Sequence, residues 1–178
     1  VLFDLPTVLK KAALIRLAVF DVDGVLTNGD IIYTSNNQEQ KVFHVHDGLG
    51  LKMLMRSGCE VAIITSRNSA IVSTRMAELG IVHVLQGQED KRTAMLSLMQ
   101  KLGVDSAGAA YTGDDLIDLP AMKLCGLSFA VANAHPLVKS NTDWTTEKPG
   151  GSGAVREICE LLLKGQGKLD AIYAEYLR

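Results

Sequence analysis

Two acidic clusters, Asp21-Val22-Asp23-Gly24 and Gly113-Asp114-Asp115 with Asp118 one helical turn on, hold the most reactive oxygen atoms of this sequence. Each follows a short β-prone run, residues 16–20 (RLAVF) and 109–112 (AAYT). Alternation along an extended chain puts Asp21 and Asp23 on one side, unless the turn begins early. Two carboxylates roughly 4 Å apart repel by about 4 kcal/mol at an effective dielectric of 20. A bound cation or a retained proton must offset that. No lysine or arginine lies within a few residues of either cluster. One aspartate after a strand need be no more than a helix cap. Two clusters on neighbouring strands offer hard oxygen ligands in the number that suits Mg²⁺.

Complementary groups follow two other apolar runs. Thr65-Ser66-Arg67-Asn68 offers hydroxyls and backbone N–H groups at a helix entrance, where anions bind. Glu89-Asp90-Lys91 opens a further helix with a lysine. Hydroxyl, lysine, cation and carboxylates on one rim form a surround for a phosphoryl group, whose charge is spread over three oxygens. A carboxylate there can attack phosphorus and form an aspartyl phosphate. A second, protonated one can deliver a proton to the leaving alkoxide and later activate water.

The elements that must position these groups recur with a period. Gly58, Gly80, Gly103 and Gly126 stand 22, 23 and 23 residues apart, each after a helix-like stretch that a positive φ would end. Beyond them lie strand candidates at 61–65, 81–85, 109–112 and 127–131. Near-continuous apolar strands alternating with helices predict a doubly wound, Rossmann-like parallel sheet covered on both faces, with ligands outside the strands' carboxyl ends. Residues 30–46 break the rhythm as a β-hairpin turning at Ser35-Asn36-Asn37. Ile31, Ile32, Tyr33, Val42 and Phe43 on so small an element favour cover by another subunit. After Gly150-Gly151-Ser152-Gly153, residues 154–164 repeat Val155, Ile158, Leu161 and Leu162 at helical spacing. Residues 168–178 read as a loose tail.

Composition narrows the class. The chain has 178 residues, 47% apolar and 21% charged, with a formal charge of −2, which fits one folded domain spanning residues 1–178. No basic stripe favours duplex nucleic acid, and no apolar run is long enough to cross a bilayer. Residues 1–11 carry no cleavable signal pattern. Cys59, Cys125 and Cys159 are scattered without a CxxC pair, so a reducing cytoplasm is the expected compartment.

DVDGVLT, Thr65-Ser66-Arg67, Lys91 and GDDLID, in that order, resemble the four motifs of the haloacid dehalogenase superfamily. HVHDGLG, LQGQ, GDDLIDLPAM, AVANAHP, GGSGAVREICELLL and GQGKLD extend the likeness over nearly the whole chain after Leu14. In that detail it is similar to the phosphatases that act on 3-deoxy-D-manno-octulosonate (KDO) 8-phosphate in lipopolysaccharide synthesis. The resemblance implies Asp21 as nucleophile and Asp23 as general acid/base. It implies Mg²⁺ on Asp21, the Asp23 carbonyl and Asp114. Thr65 and Lys91 would clamp phosphoryl oxygens, and Asp115 would orient Lys91 or metal-bound water, with Asp118 supporting. Substrate contacts would come from Asp23, His44, Val45, His46, Asp47, Gly48, Lys52, Arg67, Arg75 and Lys91, the arginines suiting the sugar's carboxylate. His46, and in some relatives Lys52, stand where arginine occurs in the family, and Ser66 stands in place of a glycine.

Two neighbouring readings remain. A nine-carbon, sialic-acid-type 9-phosphate is the alternative substrate. A receiver-type signalling domain uses similar parts, but its adjacent acidic pair ends strand one and its phosphoacceptor ends strand three. Here the DxD ends strand one and the pair ends strand four. Between Thr27 and Thr65 there is room only for the hairpin and one helix, so no cap domain is expected. Such a bare rim needs walls from elsewhere, and the resemblance implies a homotetramer in which hairpin and tail supply them.

Overall fold

The computed structural model describes residues 4–178; the first three residues of the N-terminal stretch, read above for a signal pattern, lie outside them. In chain order the elements are α1 (Leu5–Ala12), β1 (Leu17–Phe20), β2 (Ile32–Tyr33), β3 (Glu39–Gln40), α2 (Val45–Arg56), β4 (Glu60–Ile64), α3 (Ala70–Leu79), β5 (His83–Leu85), α4 (Lys91–Leu102), β6 (Ala109–Gly113), α5 (Leu119–Met122), β7 (Leu127–Ala130), α6 (Pro136–Lys139), β8 (Trp144–Thr145), α7 (Ala154–Gly165) and α8 (Leu169–Tyr176).

Six strands form one sheet in the order β5-β4-β1-β6-β7-β8, and every pairing in it is parallel. β1, β6 and β7 are buried along their whole length, as strands covered on both faces must be. One helix group, α1, α2 and α7, packs together, and α4 packs with α5. This is the expected doubly wound architecture, with β1 at its centre. Register aligns Phe20 with Ile63 on one side and Thr112 on the other. Asp21, Thr65 and Asp114 therefore leave the sheet at nearly the same level.

Local chemistry explains most boundaries. Gly80 and Gly103 take φ of 81° and 63° at the ends of α3 and α4, as their spacing predicts. Gly126 differs: it keeps ordinary φ. It is there for close approach instead, since a Cβ would lie 2.8 Å from the Ser106 carbonyl oxygen to which its N–H donates. The strand expected at 81–85 shortens to β5, because Ile81 still closes the α3 turn on the Met76 carbonyl and Val82 faces outward. The hairpin turns where expected, with Asn37 at φ 58°. It ends sooner than residue 46, because α2 begins at Val45.

Three elements, α1, α6 and β8, had no sequence expectation. α1 starts at Asp4, whose carboxylate accepts the Thr7 N–H at 2.9 Å; Asp-Leu-Pro-Thr is a readable helix start. β8 is only two residues long, too short for any periodicity. The segment 168–178, read as a loose tail, forms α8 instead. Gly167 turns the chain at φ 67°, Lys168 Nζ donates to the Ser57 carbonyl at 2.7 Å, and Leu169 and Ile172 pack on the core.

Candidate active site

β1 does not stay extended through Asp23. The N–H groups of Val25, Leu26 and Thr27 all converge on the Val22 carbonyl, so a tight turn begins directly after Asp21. Thr27 Oγ1 ties it, accepting from the Gly24 and Gly29 N–H groups at 3.3 and 3.2 Å. Asp21 and Asp23 thus share a pocket by turn geometry, not by strand alternation. At Gly24, φ is 96° and a Cβ would overlap Asp114 Oδ2, so only glycine lets the loop after β1 approach the end of β6.

The cleft outside β1, β4 and β6 is about 250 Å³ and is lined by Asp21, Asp23, Gly29, Thr65, Ser66, Arg67, Lys91, Asp114, Asp115 and Ile117. Lys91 is buried at the start of α4, with Nζ 3.0 Å from Asp21 Oδ1 and 2.7 Å from Asp118 Oδ1. Burial opposes its charge, but Asp21 and Asp118 outweigh this and raise its pKa. Asp118 is fully buried. It also accepts from Tyr111 Oη at 3.0 Å and from the Asp114 and Asp115 N–H groups at 3.0 and 3.2 Å. Four donors saturate it. Of the two tasks that the resemblance gave Asp115, orienting Lys91 or metal-bound water, the first falls to Asp118. Asp115 instead caps the short 3₁₀ turn at Leu116–Asp118.

One oxygen of each of Asp21, Asp114 and Asp118 lies within 4.8 Å of the others. Asp118 is committed to its four donors, whereas Asp114 Oδ1 is buried with no hydrogen-bond partner. That orphan beside Asp21 is what a divalent cation would satisfy. The repulsion expected between Asp21 and Asp23 is also eased by side chains, because each carboxylate has its own cation. Lys91 serves Asp21. Asp23 has Lys41, with Arg67 Nε at 3.8 Å from its second oxygen.

Burial, then the Asp118 charge, push Asp21 up to about 7, and burial with Asp118 and Asp21 does the same for Asp114. Both ordinarily titrate at 3.8. The folded metal-free protein therefore holds these protons more tightly than the unfolded chain, and its stability falls as pH rises from about 4 to about 7. The expected result in EDTA is a higher Tm at pH 5.5 than at pH 8, with Mg²⁺ recovering stability at pH 8. Equal midpoints at both pH values in EDTA would contradict it.

The other expected contact residues lie elsewhere. His44, Asp47, Gly48 and Arg75 line a separate small recess with Leu26 and Phe43. Asp47 is buried there and accepts the Arg156 N–H at 2.8 Å, fixing the start of α7. Val45, His46 and Lys52 are exposed on α2. These residues do not line the carboxylate cleft, while Arg67 does. Sequence reasoning missed Lys41, whose side chain is 2% exposed between Asp23 and Glu39. Its only signal was a lone cation inside an amphipathic hairpin.

Residues 76–158 match the family model of haloacid dehalogenase-like hydrolases. The chain is 52% identical over 165 residues to the KDO 8-phosphate phosphatase KdsC of Salmonella typhimurium, covering 93% of this chain and 88% of that protein. The Escherichia coli K12 enzyme of the same name is 51% identical, over 92% and 87%. The solved KDO 8-phosphate phosphatase of Moraxella catarrhalis, in complex with magnesium, phosphate and KDO, superimposes with a TM-score of 0.95. It is 47% identical, over 97% of this chain and 99% of that one. The chain thus belongs to the haloacid dehalogenase-like hydrolases, in the family of the KDO 8-phosphate phosphatases.

Proposed function

We propose that this protein hydrolyses KDO 8-phosphate to KDO and phosphate in lipopolysaccharide synthesis, through an aspartyl phosphate on Asp21. The observation that carries the reading is a carboxylate held by a buried lysine beside a second carboxylate with an unsatisfied oxygen. Asp21 attacks phosphorus, and the ester P–O bond breaks as Asp23 gives its proton to the departing sugar oxygen. Thr65 and Lys91 bind the phosphoryl oxygens. Asp23, now ionised, takes a proton from the water that attacks the aspartyl phosphate, releasing phosphate and restoring Asp21. Mg²⁺, held by Asp21, the Asp23 carbonyl and Asp114, supplies Lewis-acid polarisation and charge neutralisation when bound.

The substrate's carboxylate needs cations beyond this cleft, and Arg67 lies at its mouth. His44, His46, Lys52 and Arg75 do not line it, a placement that suits contacts across a subunit boundary. Ile31, Tyr33, Val42 and Val45, all more than half exposed, give that boundary an apolar surface. We therefore assign a homotetramer, and the cytoplasm as its compartment, where the three free cysteines stay reduced. Among the described residues no helix is long and apolar enough to cross a membrane.

The deciding experiment is Mg²⁺-dependent phosphate release, comparing kcat/KM for KDO 8-phosphate and a nine-carbon 2-keto sugar-acid 9-phosphate. Preference for the eight-carbon ester is expected; the reverse preference replaces the substrate, and no release from either sinks the activity. Light scattering is expected to give a tetramer that Tyr33→Asp weakens. A monomeric native protein would remove the shared-wall reading.

A further inference from the structure

Lys41 belongs to a closed ring of charge at the cleft's edge. Its Nζ bonds Asp23 Oδ1 and lies 3.4 Å from Glu39 Oε1. Arg67 Nη2 reaches the same Glu39 oxygen at 3.0 Å, and Arg67 Nε lies 3.8 Å from Asp23 Oδ2. Ser69 Oγ donates to the other Glu39 oxygen at 2.6 Å. Two cations alternate with two carboxylates, and the links run from the loop after β1 to β3 and on to the start of α3. A lysine side chain 2% exposed on a two-stranded hairpin is unusual, because the ammonium gives up most of its hydration. Glu39 and Asp23 replace that hydration.

We propose that Lys41 is a positioning residue for Asp23, resting on the acid/base role given to Asp23 above. By holding Oδ1, Lys41 fixes the carboxyl plane and leaves Oδ2 to exchange the proton with the departing oxygen and then with water. Glu39 anchors Lys41 from its own strand, so the hairpin sets the aim of the acid as well as bordering the cleft.

Leaving-group dependence tests this, because kcat/KM reports only the steps through departure of the alcohol. Phenyl phosphate needs a proton donor; 2,4-dinitrophenyl phosphate does not. With Mg²⁺ present, Lys41→Met is expected to lower kcat/KM for phenyl phosphate by about 10²-fold and for the dinitrophenyl ester by less than about 5-fold. Lys41→Gln, which keeps one donor, is expected to recover part of the loss, and it decides the matter if the Met variant does not fold. Asp23→Asn is the reference and is expected to show the same selectivity, more strongly. If Asp23→Asn is selective while the Lys41 variants lose equally on both esters, or lose nothing, the positioning role is wrong. If Asp23→Asn itself shows no selectivity, the acid/base assignment falls first and this inference with it.

Discussion

Asp21→Asn is expected to cut turnover on phosphate monoesters by on the order of 10⁴-fold or more, with an unchanged far-UV circular dichroism spectrum. The amide has nearly the same shape and can still accept from Lys91, but its oxygen is not a nucleophile. Loss of fold will not account for the defect. Asp21 is buried, and its charge stands against those of Asp118 and Asp114, so neutralising it relieves repulsion in the metal-free protein. The expected combination is therefore an inactive variant whose Tm in EDTA at pH 8 equals or exceeds that of the parent. Retention of more than a hundredth of the parent turnover would remove Asp21 from the chemistry.

Asp118→Asn is expected to damage both stability and rate, although Asp118 does not line the cleft. Oδ1 serves Lys91 and Tyr111, and Oδ2 serves two backbone N–H groups. Lys91 and the two backbone N–H groups can only donate, so an asparagine amide must point an N–H group at a donor whichever way it is turned. Lys91 is left with Asp21 alone, and breaking a buried pair in this way costs about 3 kcal/mol. For a chain of this size, that is a fall in Tm of roughly 6–12 °C, measured with Mg²⁺ present. The loops carrying Asp114 and Lys91 lose their common anchor, and kcat is expected to fall by about 10²-fold. A variant with the parent Tm and kcat would show that this carboxylate is dispensable. Intact kcat with a lowered Tm would confine it to stability.

The sheet was legible because buried parallel strands leave continuous apolar runs, and glycines such as Gly80 and Gly103 close helices with positive φ. Asp21, Thr65, Lys91 and Asp114 were legible for a related reason: chemistry in this architecture sits where strands end. What could not be read depends on distant partners. Asp118 and Asp115 are three residues apart and chemically alike, yet only tertiary contacts with Tyr111 and Lys91 assign one to the network and the other to a cap. Lys41 and Asp23 are 18 residues apart and meet only because the hairpin folds back. The placement of His44, Asp47 and Arg75 in their own recess follows from α2 starting at Val45, a boundary that the hairpin's alternation obscured.

The glycines before α7 carry a consequence for the order of events in synthesis. A side chain on Gly150 would overlap the Gly24 carbonyl oxygen, at 1.7 Å, and the Gly151 N–H donates to the Val25 carbonyl at 3.0 Å. The loop that holds Asp21 and Asp23 is thus backed by residues made more than a hundred positions later. A ribosome emits the nucleophile long before the support behind it. A nascent chain has the reactive carboxylate without its setting, and competence waits until the residues around Gly150 have left the ribosome.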